Sequence, residues 1–172
     1  MRWFAFLIAT TLLMAADNGL SGRRAPGFSL PDSNTKRYDL QDYRGKWVLI
    51  DFMKTDCPRC AELTKTLEQV KAKYGAKVEI FSVVIAPPEN INTVRTFVRD
   101  NKVTTTILFD QGQMTASYFN MTPANPTFDT PHLFVINPQG MIVADMGHDD
   151  NQPAKFSAKN LMPVLDKLMA AK

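Results

Sequence analysis

Two continuous apolar runs, Trp47 to Met53 and Val78 to Ala86, stand on either side of an amphipathic stretch, Ala61 to Tyr74. Apolar runs without alternation read as strands buried on both faces, the habit of parallel sheets. A helix joining two such strands makes a βαβ unit, whose crossover is right-handed in nearly all folds. No other pattern in the chain restricts its architecture so strongly.

The remaining segments supply shorter elements of both kinds. Phe28-Ser29-Leu30 and Tyr38-Asp39-Leu40 read as strands around the turn-rich Pro31-Asp32-Ser33-Asn34. Asn90 to Asn101 reads as a helix with Ile91, Val94, Phe97 and Val98 on one face. Thr106 to Asp110 is a short strand and Met114 to Phe119 a short helix. Leu133 to Asn137 and Met141 to Met146 form a hairpin around Pro138-Gln139-Gly140, and Lys159 to Ala170 closes the chain as a helix. The expected fold class is α/β, a mixed central sheet with helices on both faces. A chain of 172 residues, 45% hydrophobic, suffices for one such domain with its own core. Its net charge of +3 is spread over interleaved acidic and basic residues, so it presents no nucleic-acid stripe.

Both cysteines lie in Cys57-Pro58-Arg59-Cys60, where the first buried strand hands over to the helix. Cysteines at this spacing at a helix start can close a small disulfide ring, and the helix N-terminus favours negative charge on the first. Cys57 is then the attacking thiolate, and Cys60, one turn on and deeper, the resolving thiol. Pro58 suits the first helical position, where its missing N–H is no loss. Arg59 adds positive charge near the thiolate, while Asp56 opposes it. Asp51 sits among apolar neighbours, so burial should raise its pKa.

Other uses of the pair are less well supported by the residues. A zinc site needs about four ligands, and the chain offers two cysteines and two distant histidines, His132 and His148. A purely structural disulfide across so short a loop would restrict the unfolded chain little. A Cu(I) carrier using both thiolates and His132 stays open. No metal site is assigned, and the expected chemistry needs no bound cofactor.

The N-terminus carries a separate signal. Met1-Arg2, the apolar stretch Trp3 to Met14 and Ala15-Ala16 follow the order of a secretory signal peptide. The run is shorter than the ~20 residues that span a bilayer. Met14 occupies a position where cleavage after Ala16 prefers a small residue, so retention as an anchor stays open. Residues 1–16 are read as a signal peptide or N-terminal anchor, 17–25 as a linker and 26–172 as the folded domain. A single closely spaced cysteine pair in an exported chain points to extracytoplasmic redox work, periplasmic or secreted, with a membrane tether through the N-terminus as the variant.

Taken together, Ala25-Pro26-x-Phe28-x-Leu30, Leu40 through Gly45-Lys46, Val48 to Phe52, Cys-x-x-Cys and the segment Thr130 to Gly140 resemble a thioredoxin-fold protein. More narrowly they resemble the TlpA/ResA-like branch of the redoxin group, which also contains the peroxiredoxins. The likeness runs from Ala25 to the C-terminus. It departs from the usual pattern at Asp56, where the branch commonly has Trp, at Met53, and in a long lead-in, residues 120–129, with Pro123 and Pro126.

The resemblance implies a thiol–disulfide oxidoreductase that exchanges with client proteins through a mixed disulfide, more often as a reductant fed by a membrane thiol relay. It implies that Asp51, six residues before Cys57, accepts the Cys60 proton. It implies a cis Thr130-Pro131 bond beside the dithiol, with Thr130 and Pro131 meeting the client and adding to the tuning of the pair that Pro58 and Arg59 give by their own chemistry. His132 is expected to be structural or solvent-facing, and Tyr118, Phe119 and Phe128 to pack the long loop. The alternative functions are a thiol peroxidase and a copper-assembly protein. The peroxidase reading is weakened because Lys54, or Cys57 counting from Cys60, stands where a peroxiredoxin carries its active-site Thr.

Overall fold

Strand β3 (Trp47–Phe52) follows two short N-terminal strands, β1 (Ser29–Pro31) and β2 (Arg37–Asp39), and precedes helix α1 (Pro58–Tyr74). Then come β4 (Val78–Ile85), α2 (Ile91–Asn101), β5 (Thr106–Asp110), α3 (Gln113–Tyr118), β6 (His132–Ile136), β7 (Ile142–Met146) and α4 (Ala158–Ala170). This computed structural model describes residues 21–170, and the expected leader lies outside them. Among the described residues, no helix is long and apolar enough to cross a membrane.

The five-stranded sheet has the order β5-β4-β3-β6-β7. β3 pairs in parallel with β4 and antiparallel with β6, and β4 pairs in parallel with β5. Two successive right-handed crossovers in the same direction place both connecting helices on one face. Strand alternation turns Leu49, Asp51 and Met53 to that face and Val48, Ile50 and Phe52 to the other. Leu63, Leu67 and Val70 of α1 accordingly pack with Leu49, Ile80 and residues of α4. Val94 and Phe97 of α2 pack with Met53, Val84 and Ile107. Ile91, expected on the same apolar stripe, is 46% exposed because it is the first residue of the helix and precedes the contact.

On the opposite face, Phe28, Phe52, Phe81, Tyr118 and Phe134 form an aromatic-rich core beneath the β1–β2 hairpin and α3. The Tyr118 hydroxyl donates to the Pro26 carbonyl, 3.0 Å. The end of the stretch read as a linker is tied to the sheet: Gly22 and Ala25 donate to the Ile142 and Gly140 carbonyls, and Ile142 donates to Arg23. The Arg23 guanidinium donates to the carbonyls of Ser117 and Tyr118, closing the C-terminal end of α3.

Asp110 ends β5 and is buried. Its carboxylate accepts from the Met114 and Thr115 amides and the Thr115 hydroxyl at 2.7–3.1 Å, so it caps the first turn of α3. Asp110→Ala should lower the unfolding free energy by about 3 kcal/mol, since it strands buried donors. A lower urea midpoint with an unchanged slope would register this loss.

Candidate active site

Helix α1 begins at Pro58, so Cys57 is its N-cap and Cys60 lies in the first turn. The two cysteines form a disulfide with a Cα–Cα distance of 5.2 Å. Their surroundings differ. Cys57 is partly exposed, while Cys60 is fully buried. The Cys57 sulfur accepts from the Cys60 amide at 3.1 Å, taking up one of the donors a helix start leaves free. Pro58 occupies the helix start, where no such donor is needed.

Asp51 is fully buried on the sheet face that α1 covers, the face on which Cys60 packs with Met53 and Val84. The Ser82 hydroxyl, in the register-paired residue of β4, donates to Oδ2 at 3.4 Å. Among the described residues, Oδ1 is buried without a hydrogen-bond partner. Burial pushes the carboxyl up to about 8, against the smaller lowering effects of Ser82 and the positive ring of His132. A carboxyl so placed is neutral at pH 7 and takes or gives a proton close to the range of a thiol.

The turn before Cys57 is held by a residue that sequence reasoning missed. Glu89, in the connection from β4 to α2, is buried. It accepts from the Thr55 amide at 2.8 Å, the Thr55 hydroxyl at 2.7 Å and the Thr93 hydroxyl at 2.5 Å. The available signal was an acid directly before Asn90, which caps α2 in a box with Thr93. Met53, Thr55, Asp56, Pro88, Glu89 and Phe128 help line an open cleft of about 380 Å³ beside the cysteines. Asp56 is exposed at its rim.

Arg59 is turned away from the role of a free cation beside Cys57. It pairs with Asp150 at 2.8 Å and meets the His148 ring, on the loop between β7 and α4. His148 also contacts Asp150 at 3.0 Å. His148 and Asp150 are thus engaged with Arg59, Asp149 accepts from Asn151 and Gln152, and among the described residues no acid, histidine and cysteine group has the makings of a metal site.

The Thr130–Pro131 peptide bond is cis, and Pro131 is buried directly before β6. The register places His132 opposite Phe52 and Leu133 opposite Asp51. His132 therefore lies on the sheet face away from α1. It is buried, neither solvent-facing nor free to join the sulfurs: Nδ1 meets Asp129 at 2.9 Å and Nε2 meets Asp145 at 2.5 Å. A copper site through this ring is not available in the fold. Phe119 packs against Phe52, Phe128, His132 and Phe134, so the aromatic residues of the long loop are used in its packing.

Residues 21–145 match the AhpC/TSA family. The chain belongs to that family. It is 31% identical over 123 residues to the thiol-disulfide oxidoreductase ResA of Bacillus subtilis, a match spanning 71% of this chain and 64% of ResA. Its fold is shared with a thiol:disulfide interchange protein of the thioredoxin family from Chlorobium tepidum, at a TM-score of 0.69 and 15% identity, over 84% of this chain and 94% of the other. The thioredoxin domain of a thiol-disulfide oxidoreductase from Bacteroides vulgatus matches with a TM-score of 0.65 and 21% identity, over 86% of this chain and 96% of that one. As an AhpC/TSA member the chain combines a thioredoxin-like α/β fold with a Cys-x-x-Cys pair joined as a disulfide.

The Asp51 carboxyl has a folded-state pKa above its ordinary value, so the folded protein holds its proton longer than the unfolded chain does. Stability therefore falls as pH rises from ~4, the unfolded value, and the loss is complete above about 8. Asp51→Asn should match the wild type in stability near pH 4 and exceed it at pH 8.5, a gap that urea unfolding of the oxidised protein at the two pH values would measure. Equal stability of the two proteins at both values would show that the carboxyl is not so perturbed.

Proposed function

We propose that the protein is an exported thiol–disulfide oxidoreductase acting on client proteins through Cys57 and Cys60. The observation that carries this reading is the inequality of the pair: one sulfur reachable at a helix N-terminus, the other sealed beneath it on the face of a neutral, underbonded carboxyl. In the reducing direction, the Cys57 thiolate attacks one sulfur of a client disulfide. The client S–S bond breaks, a mixed disulfide forms, and the departing client thiolate takes a proton from solvent. Asp51, in its ionised fraction, accepts the Cys60 proton, and the Cys60 sulfur attacks Cys57. The second client sulfur leaves as a thiolate and takes up a proton from solvent, to which Asp51 returns its own, and two electrons have passed from the dithiol to the client.

Pro58 and Arg59 lie between the two cysteines in the chain and tune the pair, Arg59 with its charge shared by Asp150. Thr130 and Pro131 receive the client backbone. The reductant direction, a membrane thiol relay as electron source and the export of the chain rest on the resemblance to the ResA-like branch and on the leader-like residues 1–16. Clients are proteins with cysteines to be kept reduced, in cytochrome c or copper-site assembly. The identity between the chain and ResA supports the reaction class.

With a disulfide-bonded peptide as substrate, Cys60→Ser should accumulate the mixed disulfide and Cys57→Ser should form none. Asp51→Asn should slow resolution of that intermediate by about 10²-fold, the usual worth of a positioned base. Resolution in the wild type should quicken with pH up to about 8, a limb the variant lacks. Trapping by Cys57→Ser instead would reverse the two roles. Equilibration with glutathione gives the direction: a potential near −270 mV supports a reductant and one near −120 mV an oxidant, roughly the values of thioredoxin and DsbA.

A further inference from the structure

At the Thr130–Pro131 edge, His132 is bonded through both of its ring nitrogens. Both ring nitrogens face carboxylate oxygens, Asp129 at 2.9 Å and Asp145 at 2.5 Å. Ionised carboxylates only accept, and Asp129 and Asp145 both favour the protonated ring, so each nitrogen donates and the ring is held as an imidazolium. The Asp145 side chain is 4% exposed, and loss of the ring proton would leave that carboxylate buried without a counter-charge. Phe134 stacks on the ring at 4.7 Å and Phe119 meets it edge-on at 4.7 Å, which fixes its plane.

The placement of the cluster matters more than its strength. Asp129 immediately precedes Thr130, and His132 immediately follows Pro131. Their ion pair brackets the dipeptide, and the second nitrogen fastens the bracket to β7 through Asp145. The other Asp129 oxygen accepts the His148 amide at 3.0 Å. Gly147 closes over the cluster, where a Cβ would lie 2.6 Å from Asp129 Oδ2 and 3.2 Å from the imidazole ring. The backbone on either side of the dipeptide is thus held by one cation.

We infer that His132 is a positioning residue: as an imidazolium shared by Asp129 and Asp145, it fixes the Thr130–Pro131 edge, so that capture of an extended client chain depends on its charge. The inference rests on the oxidoreductase reading above. The groups facing the ring are Asp129 from the loop, Asp145 from β7 and, through the sheet, Asp51 of β3; all three favour the charged ring when ionised. Its proton is consequently held above the ordinary imidazole range, despite the opposing effect of burial. Below that range the bracket is intact, and it is released as pH rises through the raised value.

The test compares two substrates of the reduced protein: insulin, whose disulfides lie in a polypeptide, and hydroxyethyl disulfide, which has no backbone to pair. Both use the same cysteines and Asp51, so an effect of the lost charge on Asp51 cancels in the ratio of their rate constants. In His132→Gln and in the isosteric Asp145→Asn, the insulin-to-hydroxyethyl-disulfide ratio should fall about tenfold at pH 7, the worth of one charge-assisted hydrogen bond. The wild-type ratio should decline at alkaline pH, and that of His132→Gln should not. Proton NMR of a chain with two histidines should find His132 still charged at pH 7 and titrating lower in Asp145→Asn. An unchanged ratio in both variants, or a neutral His132 at pH 7 in the wild type, would overturn the inference. Wild-type inactivity towards both disulfides would overturn the exchange reading itself and this inference with it.

Discussion

Strand β3 is bonded on both edges, parallel to β4 and antiparallel to β6, and this change of polarity assembles the site. Because β4 runs the same way, its C-terminal connection with Glu89 emerges at the end of the sheet where β3 delivers Cys57. Because β6 runs the opposite way, it starts where β3 finishes, with His132 opposite Phe52. Three connections distant in sequence therefore meet at one end: the turn into α1, the turn into α2, and the Thr130–Pro131 segment. None of them could be moved without breaking a ladder that is buried on both faces, since Leu49, Ile50, Phe81, Leu133 and Phe134 are all fully buried. The register is locked by burial, and the site inherits that rigidity.

The buried acids around this end of the sheet differ in their partners, and the partners separate structural from chemical roles. Asp110 accepts three hydrogen bonds from the start of α3, and Glu89 accepts three from Thr55 and Thr93. Asp145 meets a cation. Asp51 has one long contact from Ser82 and, among the described residues, an oxygen with none. A buried carboxylate without donors is costly, whereas a buried carboxylic acid is much less so. The imbalance is a reason to read Asp51 as a proton carrier and the other three as ties.

The architecture was legible in the sequence because its strongest signals are local. The unbroken apolar runs became β3 and β4, the helix between them became α1, and Gly140, with φ 78°, closes the β6–β7 hairpin that Pro138-Gln139-Gly140 announced. Burial of Asp51 followed from its neighbours. The orientation of Arg59 did not, because its partner Asp150 lies on a loop whose path depends on where α4 docks. The bracket at His132 was hidden for a related reason: Asp145 is opposite Phe134 only after a register shift between Val135 and Ile136, which a single sequence does not display. Glu89 joined the site through the parallel pairing of β3 and β4, a contact that no local pattern records.

The sheet separates two charge problems that would otherwise interfere. Asp51 and His132 sit near one another in the ladder yet on opposite faces, Asp51 towards α1 and His132 among the aromatic rings. The imidazolium lowers the Asp51 pKa, but it is the smallest of the three influences there, after burial and Ser82. Had the cation shared Asp51's face, an ion pair would have formed and kept the carboxyl ionised, at the cost of its ability to exchange a proton near neutral pH. Keeping the cation across the sheet leaves desolvation dominant on the sulfur side. On the other side the same cation is spent on Asp129 and Asp145, where a firm backbone rather than a mobile proton is needed. One strand pair thus supports a labile proton on one face and a fixed charge on the other.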